Sequence, residues 1–280
     1  MNKKLYSFDY EFYSNTYTDL KRDNITTKEQ CLAHYLKFGK KEGRCCNKDE
    51  MQFKYKKNKT EAIEKLDDFE SNYNKLINIL IRTSDRPEYF EKCIESVLNQ
   101  SYQNYHVFVC YDTKNSYKYL KKYEKNEKIT VFYVNENSEE KYKFNLYCNH
   151  LLDKVESGYI MFLDDDDIFI HNSSLHVINW YLLNHKLLTW KFLRPDQLIF
   201  KKDVQEKLVL GDIDTACVCF HSELKDKSIW KDQQYGDFNF YAPLFEFCKN
   251  EEKCGIDYIL TSTQFDNKIG NYGTKENEKI

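Results

Sequence analysis

Gly158-Tyr159-Ile160-Met161-Phe162-Leu163-Asp164-Asp165-Asp166-Asp167 is the stretch that decides the fold. Its apolar run over 159–163 reads as a strand buried on both faces. Four consecutive carboxylates follow. Like charges that close repel one another, and a divalent cation is the usual remedy, because it neutralises them and takes oxygen ligands. Taken alone, the run also reads as a solvated acidic turn capping the next helix. Its place directly after a buried strand favours function, because ligands in open α/β sheets bind beyond the carboxyl ends of the strands.

Working outward, the same alternation recurs. Strands are predicted over 76–81, 105–111 and 129–134. Between them, Phe90, Cys93, Ile94, Val97 and Leu98 recur at helical spacing behind Pro87, residues 117–123 read as helix, and Tyr147, Leu151 and Val155 share one stripe over 146–155. Leu175, Ile178, Tyr181 and Leu182 mark a further helix. Strand-helix repetition predicts an α/β domain with a mostly parallel, Rossmann-like sheet and helices on both faces. Two more strand ends carry polar groups, Thr83-Ser84-Asp85-Arg86 and Asp112.

The 280 residues carry a formal net charge of -3, so no basic field points to nucleic acid. Ten cysteines include no C-x-x-C pair, which argues against the common structural zinc spacing. No signal peptide and no apolar run of about 18 residues is visible, so the expectation is a cytoplasmic protein with reduced thiols. Adjacent Cys45 and Cys46 are expected on the surface. Residues 1–47 form a unit of their own. Phe12, Tyr13, Tyr17 and Leu20 make one apolar cluster, and Leu32, Tyr35, Leu36 and Phe38 make a second. Thr26 with Glu29 offers a capping box, and Gly39 and Gly43 offer stops. The reading is a small helical module over 1–47, a charged linker turning helical near 61–69 within 48–74, and the main domain over 75–280.

Three segments carry a resemblance. Residues 79–90 (Ile-Leu-Ile-Arg-Thr-Ser-Asp-Arg-Pro-Glu-Tyr-Phe), 96–102 (Ser-Val-Leu-Asn-Gln-Ser-Tyr) and 158–167 resemble, in order and spacing, the family 2-type glycosyltransferases of GT-A fold. The N-terminal unit, with Phe8-Asp9-Tyr10-Glu11-Phe12-Tyr13 and His34-Tyr35 before Gly39 and Gly43-Arg44, resembles a short helical module found beside some glycan-active domains. The family resemblance implies transfer of a sugar from a nucleoside-diphosphate sugar, UDP-linked, to an acceptor hydroxyl on a glycan, protein or lipid, with Mn2+ or Mg2+ and inversion of the anomeric centre. It implies that Thr83, Asp85 and Arg86 line the nucleotide pocket and that Asp112 accepts a hydrogen bond from the base. It puts Asp164 and Asp166 at the D-x-D positions, Asp166 the direct metal ligand, with Asp165 or Asp167 as substitutes. Two departures stand out. Asp85 replaces an asparagine, and 141–149 lacks the usual Ala-Arg-Asn, leaving Lys143 as candidate phosphate partner.

The catalytic base belongs in the second half. Trp230-Lys231-Asp232-Gln233-Gln234-Tyr235-Gly236-Asp237 resembles the family's base segment, which selects Asp237, with Asp232 as fallback. Gly211-Asp212-Ile213-Asp214 is a second D-x-D, read as structural or as a donor-sugar contact. His221 is considered as a further metal ligand, and Trp180, Trp190 and Trp230 as sugar-stacking or core residues. A second copy of the chain is an allowed partner. Three rivals remain. A D-x-D phosphatase would place its motif on the first strand, whereas here it follows the fourth. A nucleotidyltransferase would need a glycine-rich loop where 83–89 has no glycine. The third is a silent nucleotide-sugar or glycan-binding scaffold.

Overall fold

A computed structural model describes residues 8–17, 20, 24–40, 44–47, 50, 74–135, 139–194, 198–199, 204 and 207–263. The linker, its expected helix near 61–69 and the stop at Gly43 lie outside the described residues.

In the N-terminal unit, helix α1 spans Tyr10–Thr16, with the Asp9 carboxylate accepting from the Phe12 amide at 3.0 Å. Helix α2 spans Lys28–His34 and runs on as a π-helical turn over Tyr35–Gly39. The capping box sits one residue later than expected. Thr27 accepts from the Gln30 amide, and Gln30 accepts from the Thr27 amide, in place of Thr26 and Glu29. Tyr13, Tyr17, Leu20, Cys31, Tyr35 and Cys46 make a small core. Cys45 and Cys46 are therefore not surface residues. Both are buried, and the Cys45 amide donates to the Tyr17 hydroxyl at 2.6 Å. Backbone bonding explains the difference: the Asp9 amide donates to the Cys46 carbonyl, folding this tail back over the tyrosines.

The main sheet forms in the order predicted. Strand β1 is Ile77–Thr83, β2 Tyr105–Tyr111, β3 Ile129–Tyr133 and β4 Tyr159–Phe162. These four are parallel, in spatial order β3-β2-β1-β4. Helix α3 (Pro87–Leu98) follows β1, α4 (Lys114–Leu120) follows β2, and α5 (Lys143–Asp153) follows β3. Of the predicted stripe on α3, Phe90, Cys93, Ile94 and Val97 are buried and Leu98 is partly buried. One polar side chain interrupts the apolar run of β1. Buried Asn78 donates to the carbonyls of Ser157 (2.8 Å) and Tyr159 (3.0 Å), so the chain entering β4 is tied to β1 by side-chain bonds as well as by the ladder. Beside it, Gly158 adopts φ +92°, where an added Cβ would lie 2.7 Å from the Leu76 carbonyl oxygen.

Beyond β4 the sheet becomes mixed. Strand β5 is Ile168–Phe169, helix α6 Ser174–Tyr181, β6 Leu187–Leu193, β7 Leu198–Ile199, β8 Val218–His221, helix α7 Gly236–Phe247 and β9 Lys253–Ser262. β8 lies antiparallel between β4 and β6, and β9 runs parallel to β6 with register shifts near Lys191. Trp190 and Trp230 are buried core residues. A 3-10 turn, Thr215–Cys217, leads into β8. Among the described residues no helix is long and apolar enough to cross a membrane.

Candidate active site

Because β1, β2 and β4 are parallel neighbours, their carboxyl ends open on one edge. Thr83, Asp112 and the acidic run after β4 meet there. Two arginines partly neutralise the acidic run. Arg82 holds Asp164 through two parallel bonds, Nε to Oδ1 at 2.7 Å and Nη2 to Oδ2 at 3.0 Å. Its remaining nitrogen donates to the Phe144 carbonyl at 2.7 Å, which fixes the guanidinium plane. Asp165 is fully buried. It accepts from the Thr83 hydroxyl at 2.6 Å and from Arg86 through both carboxylate oxygens. Asp166 and Asp167 are buried beside it, and Arg86 Nη1 stands 3.5 Å from Asp166 Oδ2. Burial, opposed by Arg86, pushes Asp165 up to about 6 and Asp166 up to about 7.

The nucleotide-side residues have clear supports. Asp85 takes φ +52°, a left-handed conformation that asparagine and aspartate tolerate best among non-glycine residues. Its amide donates to Ser116 Oγ, and its carboxylate accepts from Thr113. The substitution of Asp for Asn at this position thus preserves the backbone requirement. Asp112 accepts from the Tyr147 hydroxyl at 2.9 Å, and Lys143 lies 3.5 Å from the same oxygen, Oδ2. Oδ1 of Asp112 is buried and carries no hydrogen bond. Lys143 is thus brought to the Asp112 carboxylate.

A cavity of about 290 Å³ continues from this edge into the second half, with Arg82 and Asp164 on one wall and Arg194, Asp214 and Asp237 on the other. Asp237 lies in the first turn of α7. Burial, with Asp214 and Asp164 nearby, pushes it up to about 6. Asp214 is also raised by burial, against the pull of Arg194, whose Nη2 donates to Asp214 at 3.0 Å. The loop before Asp237 is docked onto α5. Asn145 donates to the Gln233 carbonyl at 2.8 Å, and Asn149 exchanges two bonds with the backbone of Trp230. Gly236 packs so closely that an added Cβ would fall 2.5 Å from the Asn145 amide. The segment lacking Ala-Arg-Asn therefore serves as the loop's anchor.

Two expectations change. Asp232, the fallback base, is exposed and accepts from the Tyr142 backbone amide at 2.5 Å, a loop-fixing role. His221 is separated from the acidic run by the length of a strand. It pairs with Tyr159 at the opposite end of β4 and stacks edge-on against that ring, so it is no ligand to the same ion. Sequence reasoning did not single out Arg82, Arg194 or Asn145. For Arg82 a signal existed: it is the one charged residue in Ile77–Thr83, where a buried strand admits a charge only with a partner.

Does a divalent cation suit this edge? Four carboxylates face two guanidinium groups, which leaves two negative charges in excess when all are ionised. Among the described residues no three His, Cys, Asp or Glu side chains form a closed ligand cage. Magnesium-like ions need only one or two protein carboxylates when a diphosphate supplies the rest. The donor set is compatible with that mode and with no preformed cage.

Residues 78–188 match the family described as Glycosyl transferase family 2. A Bacillus subtilis (strain 168) protein that carries the provisional name of a teichuronic acid biosynthesis glycosyltransferase, TuaG, is 30% identical over 100 residues, 35% of this chain and 38% of that protein. A Haemophilus influenzae uncharacterized glycosyltransferase is 29% identical over 117 residues, 41% of this chain and 45% of that protein. The matches span less than half the length of these relatives. Among solved structures, S. aureus TarS 1-349 in complex with UDP-GlcNAc aligns with TM-score 0.52 and 16% identity, covering 67% of this chain and 58% of that one. The mannosyltransferase PcManGT from Pyrobaculum calidifontis, in complex with GDP-Man and Mn2+, aligns with TM-score 0.50 and 10% identity, covering 76% and 64%. At these identities the likeness to the solved structures is one of fold.

Proposed function

We propose that this chain is a family 2 glycosyltransferase of GT-A fold, on its match to that family over residues 78–188, and that it transfers a sugar from a UDP-sugar to an acceptor hydroxyl, with a divalent cation and with inversion. The observation that carries this reading is that three parallel strand ends, bearing Thr83, Asp112 and Asp164–Asp167, share one sheet edge, and that Asp164 of this edge lines the same cavity as Asp237. In this reading the buried Oδ1 of Asp112 accepts a base N–H. Thr83, Asp85 and Arg86 line the nucleotide pocket, and Lys143 lies beside the base-side carboxylate. Asp166 holds the cation, with Asp164 and Asp167 flanking it; Mn2+ or Mg2+ there supplies positive charge against the diphosphate leaving group.

Arg82 and Arg86 keep the carboxylates apart and oriented before anything binds, so little reorganisation is needed when charge develops on the departing diphosphate. Asp237 accepts the acceptor hydroxyl proton as the oxygen attacks the anomeric carbon. A base raised toward neutrality, yet still ionised at pH 7, suits that task. The N-terminal helical unit is read as a docking module for acceptor or partner.

The test is calorimetric titration of UDP into the protein with and without manganese, repeated with Asp166→Ala. Metal-dependent UDP binding that the substitution removes supports the donor site. A folded protein that binds no UDP under either condition would overturn it and favour the scaffold reading.

A further inference from the structure

Tyr235 breaks a local rule at the mouth of the cavity. It precedes α7 with φ +59° and ψ +45°, a left-handed conformation that a bulky aromatic residue rarely adopts. The ring gains no burial in return, since it is 50% exposed. Neighbouring contacts impose the conformation. Gly236 is pressed against Asn145, and the Tyr235 carbonyl accepts from the Asn239 amide at 2.9 Å as the first bond of α7. The consequence is that a half-exposed tyrosine lines the cavity two residues from Asp237. Leu210, also half exposed, lines the same cavity beside Gly211, whose φ is +94°.

We infer that Tyr235 is a stacking platform for a sugar ring of the acceptor, which makes the acceptor a glycan or a glycosylated molecule. This rests on the glycosyltransferase reading and names its second substrate class. A pyranose has a C–H face that packs on an aromatic ring and an edge of hydroxyls that needs hydrogen-bonding partners. The cavity offers both: the Tyr235 ring with Leu210, and the side chains of Arg194, Gln233 and Gln234. A lipid tail would lie against a lining that carries Arg82, Asp164, Arg194, Asp214 and Asp237, a poor match for an apolar chain. The tryptophan nearest the site cannot serve, because Trp230 is buried and stacked on Phe240 at 4.7 Å.

The experiment is saturation-transfer NMR on the full chain with UDP and Mn2+ present. Methyl β-glucopyranoside, methyl β-galactopyranoside, methyl α-mannopyranoside and methyl N-acetyl-β-glucosaminide are the probes, with acyclic sorbitol as control. Wild type and Tyr235→Phe should transfer saturation to the ring protons of at least one pyranoside and not to sorbitol. Tyr235→Ala and Tyr235→Gly should lose at least fivefold of that signal while the uracil signals of UDP persist. The glycine variant relieves the left-handed strain, so loss there reports the missing ring and not a distorted helix start. Equal pyranoside signals in all four proteins, or none in wild type while UDP is saturated, would overturn the platform. Pyranoside signals that depend on Tyr235 without any UDP saturation would uphold the platform and overturn the UDP donor.

Discussion

The two halves of the sheet solve the problem of holding charge differently. At the ends of β1, β2 and β4 the acidic groups are partnered from neighbouring elements: Arg82 from β1 on Asp164, Arg86 from the turn after β1 on Asp165, Tyr147 from α5 on Asp112. Across the cavity, Asp214 and Asp237 share one nearby guanidinium, Arg194, and sit on a 3-10 turn and a helix start. The first half is a preorganised cradle. Both halves hold carboxylates raised toward neutrality, but the first sets Arg82 and Arg86 among its four, whereas in the second Arg194 bonds Asp214 and leaves Asp237 without an ion pair among the described residues. That division suits a donor that binds in one fixed way and an acceptor whose proton must leave.

The strongest way to break the comparison is Asp237→Asn. It should lower turnover of a UDP-sugar by about 10²–10⁴-fold, with UDP affinity unchanged in calorimetry; a matching loss of UDP binding would mean the halves are not separable. Next, Arg82→Met should leave Asp164 without its partner and destabilise the fold by about 3 kcal/mol in urea unfolding. Adding Asp164→Asn should recover part of that loss, because the two residues form one unit. Third, if Asp237 is the base proposed above, turnover at saturating substrate should fall as pH drops through about 6, approaching tenfold per unit below it. A flat profile from pH 7 to pH 5 would remove Asp237 as base.

The smallest effect sharpens the contrast. Burial raises Asp166 in the folded state to about 7, from the ordinary aspartate value of 3.8. The folded state therefore holds its proton more tightly than the unfolded state does. Stability is lost as pH rises between those values, and the loss is complete above about 7. Asp166→Asn should stabilise the metal-free protein at pH 8 by on the order of 1–2 kcal/mol, and by much less at pH 4. Thermal unfolding at the two pH values reads this directly.

What was legible follows the same division. The apolar runs at 76–81, 105–111 and 159–163 and the α3 stripe could be read because strand and helix periods are local properties. Parallel order then brought the three polar strand ends together without further information. The second half resisted for a different reason. β8 and β6 join the sheet antiparallel, and that register put His221 beside Tyr159 rather than near Asp164. Nothing within 218–221 announces a pairing partner more than fifty residues earlier in the chain. Asp232 and Asp237 stand five apart in one polar loop, and only the docking of Asn145 and Asn149 on that loop separates an anchor from a cavity residue. At Thr26 and Thr27 the sequence offers two capping boxes in consecutive registers, and the backbone chose the second.

Asn78 gives the sheet a phase reference. Strand pairing is periodic, so a slip of one residue between β1 and β4 costs little in the ladder itself yet turns every side chain of β4 to the other face. It would also carry Asp164 out of reach of Arg82. The two amide bonds to the Ser157 and Tyr159 carbonyls are satisfied in one alignment. An error made at that end of the strand would be transmitted undiminished to the chemistry at the other, much as a miscounted first thread propagates along a screw. Fidelity at the acidic edge is thus set by an uncharged side chain at the opposite end of the sheet, which no substrate needs to touch.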